Sequence, residues 1–226
     1  MHVNFIDFLY KKNNDTSLRE VIEHTVYHET GHAYYSRELE KDGVFPYVFR
    51  TSNRSIIRID GRELRTNKLS KHITYLVNGI LDYPIDRFLN TNVGLCDSTA
   101  KIRVDNILPL PPGADRNEVL RKKMDVLFNL PTAIHDYEFG KIDREVRTRV
   151  KENSISYVGE ELWNSTFRLL ERLSTNPKAL RDVYPKVFEI LFNLKVNWRF
   201  EKKEVICDFL PTFWDDDEYE LLYINS

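Results

Sequence analysis

The chain has 226 residues, 42% hydrophobic and 30% charged, a globular balance that argues against disorder and a length that allows one large domain or one domain plus an appendage. Lys and Arg total 33 against 35 Asp and Glu, giving a net charge of −2, so no basic field marks the chain for nucleic acid. Two distant cysteines exclude a disulfide framework, no apolar run approaches the roughly 18 residues of a membrane helix, and the opening MHVNFIDFLYKK reaches charge too early for a signal-peptide core. The expected location is the cytoplasm, with no membrane partner.

From residue 17 to about 40, Leu18, Val21, Ile22, Thr25, Val26 and Ala33 recur at helical spacing. Ser17 with Glu20 makes a capping-box start and Asp42-Gly43 a stop. Two strand-like runs follow, FPYVFR at 45–50 and SIIRID at 55–60, and the TSN between them predicts a hairpin or small sheet. A second helix is expected over about 69–89, with Leu69, Ile73, Leu76, Val77, Ile80 and Leu81 as its apolar side. A loop-rich passage over 90–115 ends in PLPPGAD, the best candidate boundary. Beyond it, helices are expected over about 116–130, 140–151, 160–173 and 178–194, followed by a possible strand and the acidic segment WDDDEYE at 214–220, read as a solvated terminus. The fold class read from this pattern is α+β. A helix–small sheet–helix unit in residues 1–113 precedes a mainly α-helical part in residues 114–226, with the option that the two pack as one compact domain.

One motif carries chemistry. His28-Glu29-Thr30-Gly31-His32 spells HETGH, an HExxH pattern inside the first expected helix. Residues i and i+4 lie one turn apart on one helix face, so both imidazoles can reach one metal ion. Glu29 sits about 100° round the helix and can contact a metal-bound water without being a ligand. Two neutral nitrogen donors suit zinc, and an open position would let the ion hold and acidify that water. The flanking Thr25-Val26-Tyr27 and Ala33-Tyr34 are uncharged, as a buried metal-binding helix requires. Chance supplies such a motif in about one chain per hundred of this composition.

On these residues the chain resembles the zincin metallopeptidases. The metzincin continuation is absent, since Tyr35 stands where that pattern has glycine and Glu38 where it has its last histidine. Gluzincins take a third ligand from a second helix, usually a carboxylate with another acidic residue four positions on. Here Asn78, Asp82 and Asp86 are spaced i, i+4, i+8 and share one face of the second expected helix. Their NxxxDYxID pattern is similar to the second-helix motif of predicted bacterial and archaeal metallopeptidases linked to von Willebrand A-type domains, and the layout is similar to that of minimal gluzincins. The resemblance covers about residues 17–90. It implies Asp82 as the third zinc ligand, Asp86 as the acceptor that orients a ligand histidine, and Asn78 as a nearby polar support. Asp is shorter than the commoner Glu by one methylene, so the two helices must approach more closely. Pro84 withdraws a backbone donor just after Asp82 and would kink or end the second helix.

Other residues are weighed beside these. His24, one turn before His28, could edge the metal site. His135, Tyr137 and Tyr83 are candidates to stabilise the oxyanion of a tetrahedral intermediate, and the strand runs at 45–50 and 55–60 could offer an edge to an extended peptide. The expected function is therefore a zinc-dependent peptidase acting on a peptide or protein, with Glu29 as general base. The alternative is a zincin-like module that binds or regulates without cleaving. Substrate preference and oligomeric state are not set by the sequence.

Overall fold

A computed structural model describes residues 18–41, 56–59, 62–64, 67–97, 99–107, 109–110, 112–175, 179–192, 194–199 and 206–211. The run at 45–50, the acidic segment at 214–220 and the stop at Asp42-Gly43 lie outside them.

The first helix, α1 (Leu18–Lys41), occupies the expected range but turns an unexpected face inward. Val21 and His24 are buried, whereas Leu18, Ile22, Val26 and Ala33 are exposed. The inward side is therefore the histidine side, because the carboxylates of the neighbouring helix pair with it.

That neighbour is α2 (Asn67–Val93), a 27-residue helix that continues through Pro84 rather than ending there. Proline removes only one backbone donor, and the surrounding Leu81, Tyr83, Ile85 and Asp86 are all buried, so packing holds the helix together. Gly94, at a positive φ of 76°, closes it in a conformation that glycine adopts without strain.

The passage expected to be loop-rich contains a short helix, α3 (Ala100–Arg103), and a 3-10 turn (Val104–Ile107). Next comes α4 (Arg116–Phe128), started by a capping box in which Asp115 accepts from the Glu118 amide at 2.8 Å and the Glu118 side chain accepts from the Asp115 amide at 2.9 Å. A further helix that the periodicity did not suggest, α5 (Leu130–Phe139), begins at once with Pro131 in its first turn. Proline there ends one helix and starts another, since the missing N–H is one that the first turn leaves unpaired anyway. Three more helices follow, α6 (Arg144–Val158), α7 (Glu160–Thr175) and α8 (Leu180–Phe192).

Helix α2 is the centre of this body. It packs against α1, α4, α5 and α7, and α7 in turn packs against α6 and α8. Leu76, Ile80 and Tyr83 of α2 meet Leu130 and Ile134 of α5, Leu170 and Leu173 of α7, and Val183 and Val187 of α8 in one hydrophobic cluster. Each fully buried aliphatic side chain of this kind contributes about 1.5–3 kcal/mol.

Four short strands pair through their backbones in the order β2-β1-β4-β3. They are β1 (Ile56–Ile59), β2 (Arg62–Leu64), β3 (Leu194–Arg199) and β4 (Ile206–Pro211), with β1 parallel to β4 and Ile56 opposite Ile206. The expectation of an α+β fold is corrected. Among the described residues the packed body is helical, with α2 at its centre and the HExxH and NxxxDYxID patterns on the neighbouring helices α1 and α2.

Candidate metal centre

The two patterns face each other where α1 crosses α2. Gly31 makes the approach possible, since a Cβ on it would lie 2.6 Å from Cγ2 of Ile85. With the backbones this close, the short side chain of Asp82 reaches both histidines of the HExxH pattern. Its Oδ1 lies 3.4 Å from His28 Nε2 and 3.2 Å from His32 Nε2, and the two ring nitrogens are 3.0 Å apart. Zinc bonds of about 2.0–2.2 Å in tetrahedral geometry separate the ligand atoms by about 3.3–3.6 Å, so these three donors form a triangle of nearly the size that a zinc ion needs. The side chains of His28, His32 and Asp82 are 17%, 27% and 25% exposed, open on one side and covered on the other. Glu29 is exposed on the next position of α1.

Behind His28 stands Asp86, 1% exposed. Its Oδ1 accepts from His28 Nδ1 at 2.8 Å, which leaves the Nε2 lone pair of His28 directed to the trio. The same oxygen lies 3.1 Å from His24 Nε2, and Oδ2 lies 2.5 Å from His135 Nε2. One carboxylate thus serves three imidazoles, drawn from α1 and α5. Burial disfavours its charge, but the hydrogen bonds from His135, His24 and His28 outweigh that and hold it well below the usual carboxylate range.

A further layer supports those histidines. His135 Nδ1 lies 3.0 Å from Asp136 Oδ1, and Arg103 on α3 pairs with both Asp136 and Asp97. Asp97 is fixed by its own chain, accepting at Oδ1 from the Thr99 amide at 2.8 Å and the Thr99 hydroxyl at 2.7 Å. Its backbone joins the end of α5, donating to the Phe139 carbonyl and accepting from the Lys141 amide.

The shared carboxylates set the protonation of the rings. Burial opposes a charged His28, yet its hydrogen bonds to Asp82 and Asp86 prevail and push it up to about 11. Asp82, whose burial alone would raise it, is lowered to about 2 by its hydrogen bonds with His28 and His32. With no ion bound, a proton takes the place that a cation would fill.

Three groups of donors among the described residues could hold a metal ion: His28 with His32 and Asp82, His24 with His28 and Asp86, and Asp86 with Asp97 and His135. The second and third are already joined by hydrogen bonds and lie almost wholly in the interior. The first combines a tetrahedral face with an open side, which a reacting ligand requires.

The remaining sequence candidates sit elsewhere. Asn78 is exposed one turn before Asp82. Tyr83 is fully buried, with its ring 5.1 Å from that of Phe139. Tyr137 packs edge-on to Trp163, and His135, 2% exposed, lies on the inner side of Asp86. The sequence reading missed Asp97, Arg103 and Asp136. A signal for Asp136 was present in Pro131, which marks a helix start and so would have placed His135 and Asp136 on one short helix.

Among the described residues no helix is long and apolar enough to cross a membrane. Compared with models of known protein families, with curated proteins and with solved structures, the chain finds no match.

Proposed function

We propose that the chain is a zinc-dependent peptidase of gluzincin type, with His28, His32 and Asp82 holding the ion and Glu29 as general base. The observation that carries this reading is the convergence of three donor atoms from two helices at mutual distances of 3.0–3.4 Å, backed by an acceptor that frees the Nε2 lone pair of His28. Zinc bound there would supply a Lewis acid and an acidified water. Glu29 would take a proton as that water attacks a peptide carbonyl, then pass it to the departing amine. The open side of the trio would admit the substrate, and the buried side, rich in carboxylates, would keep the ligand rings in place.

Elemental analysis of the wild type and Asp82→Ala, with a peptide-library cleavage assay on the wild type and Glu29→Gln, tests this. About one zinc per chain is expected, lost in Asp82→Ala. Glu29→Gln should keep the zinc and lose turnover by roughly 100-fold or more, the scale of general acid–base catalysis. Turnover retained in Glu29→Gln would sink the mechanism. Zinc without any cleavage by the wild type would favour a binding module, and no zinc would overturn the reading altogether.

A further inference from the structure

His135 and its neighbours form a buried polar group that the proposed reaction does not use. Both of its ring nitrogens face carboxylate oxygens, Nε2 with Asp86 Oδ2 at 2.5 Å and Nδ1 with Asp136 Oδ1 at 3.0 Å. Ionised carboxylates only accept hydrogen bonds, so the ring satisfies both contacts only if both nitrogens carry protons. The groups facing it are Asp86 from α2, Asp136 from its own helix, Asp97 at 4.0 Å from the preceding loop, and the ring of Phe139. Arg103 lies beyond, bound to Asp97 and Asp136, so the imidazolium sits among three carboxylates with one other cation on their far side.

We infer that His135 is a positioning residue for the metal centre, an imidazolium clamped by Asp136 that fixes Asp86 and, through Asp86, the ring of His28. The chain of contacts is continuous: Arg103 holds Asp136, Asp136 holds His135, His135 holds Oδ2 of Asp86, and Oδ1 of Asp86 holds Nδ1 of His28. A carboxylate pinned at one oxygen cannot rotate to release the ring bound to its other oxygen. His24, also on Oδ1, supports the carboxylate from the α1 side. Neutral glutamine in place of His135 would turn an oxygen to either Asp86 or Asp136, so it could not clamp both carboxylates and the continuous hold on Asp86 would be broken.

This inference rests on the zinc reading, and its test separates the two. Zinc affinity is measured by competition with a chromophoric chelator for the wild type, His135→Gln, Asp86→Asn and the double variant, with the visible spectrum of the cobalt-loaded proteins as a report on ligand geometry. His135→Gln should weaken zinc binding about 10- to 100-fold, the usual effect of removing a partner behind a metal ligand, and should shift the cobalt spectrum. Added to Asp86→Asn it should cost little more, because both act through one carboxylate. Wild-type affinity in His135→Gln, or effects that simply multiply, would overturn the positioning role while leaving the zinc site intact. No zinc bound by the wild type would overturn both. If His135→Gln fails to fold, nitrogen-15 spectra of the wild type decide instead. Two protonated ring nitrogens on His135 at pH 8 are expected, and a neutral ring would refute the clamp.

Discussion

The close crossing at Gly31 gives a quantitative handle on the site. Alanine there would place its Cβ 2.6 Å from Cγ2 of Ile85, against the 3.4 Å at which ordinary contact begins, a shortfall of about 0.8 Å. Two opposed terms act on stability. Glycine to alanine inside a helix favours folding by about 1 kcal/mol, and overpacking a buried contact costs about 1–3 kcal/mol. The net change runs from neutral to a loss of about 2 kcal/mol, or up to about 8 °C in Tm at this chain length. The effect on the metal site is less ambiguous. If α1 and α2 part by most of the shortfall, the 3.2 and 3.4 Å separations between Asp82 and the two histidines widen to about 4 Å, beyond what a tetrahedral ion spans. Zinc affinity measured by chelator competition should therefore fall by at least about tenfold, as when a metal ligand loses its support. Ile85→Ala, which removes the clashing methyl, should restore part of that affinity in the double variant despite its own packing cost. Gly31→Ala binding zinc as tightly as the wild type would show that the crossing distance does not set the site.

Three other outcomes follow from the same geometry. In the metal-free protein, His28 and His135 are raised to about 11 and about 10 from 6.5, in each case against burial, by their hydrogen bonds to carboxylates. The stability they contribute is complete below about pH 6.5 and is lost as pH climbs towards 10–11. Asp82, lowered to about 2 from 3.8, contributes stability that is complete above pH 3.8 and lost as pH falls towards 2. Urea midpoints measured from pH 4 to 10 should therefore decline on the alkaline side, less steeply with zinc bound, and a rise there would contradict these assignments. Arg103→Ala leaves Asp97 and Asp136 without the cation between them. Breaking such a pair costs about 3 kcal/mol, at the low end of the buried range because the arginine side chain is 32% exposed, which chemical denaturation would read directly. Asp115→Ala removes the α4 cap, so it should cost about 1 kcal/mol and leave zinc affinity unchanged. A change in affinity would show that stability alone moves the site.

What the sequence made legible was local. The HExxH spacing placed His28 and His32 on one face of one helix, and the i, i+4, i+8 spacing did the same for Asn78, Asp82 and Asp86, because helical geometry is fixed by residue separation. Which face turns inward was less legible. Leu18, Ile22 and Val26 look like a buried stripe by composition, yet they are exposed, since ion pairing with α2 outweighs the burial they offer. The SIIRID run does contain a strand, β1, paired with β2 and β4, but strand periodicity shows which segments can extend and not which elements make up the packed body. The stretch at 131–139 lay between two expected helices, and Pro131, which opens a helix there, was not used as a start signal. Asp97, Asp136 and Arg103 could not have been joined to the site from sequence, since their contacts with each other and with His135 and Asp86 depend on the tertiary fold.

The charge in this region bears on whether the two histidines of the HExxH pattern are simply satisfied by local hydrogen bonds. Asp82, Asp86, Asp97 and Asp136 bring four negative charges to one small volume. Arg103 and the His135 imidazolium offset two of them. Were His24, His28 and His32 all neutral, the other two charges would have no counterion among these groups, although an unpaired charge away from water costs several kcal/mol. Protonating His28 supplies one positive charge and places an N–H at the atom that faces His32 and Asp82. A divalent ion held by neutral His28 and His32 supplies both and lets all three donor atoms point at it. On the proposed zinc reading, a dication would balance that excess of carboxylate. The arrangement of Asp86, Asp97 and Asp136 behind the trio is therefore one whose charge the proposed zinc ion would complement.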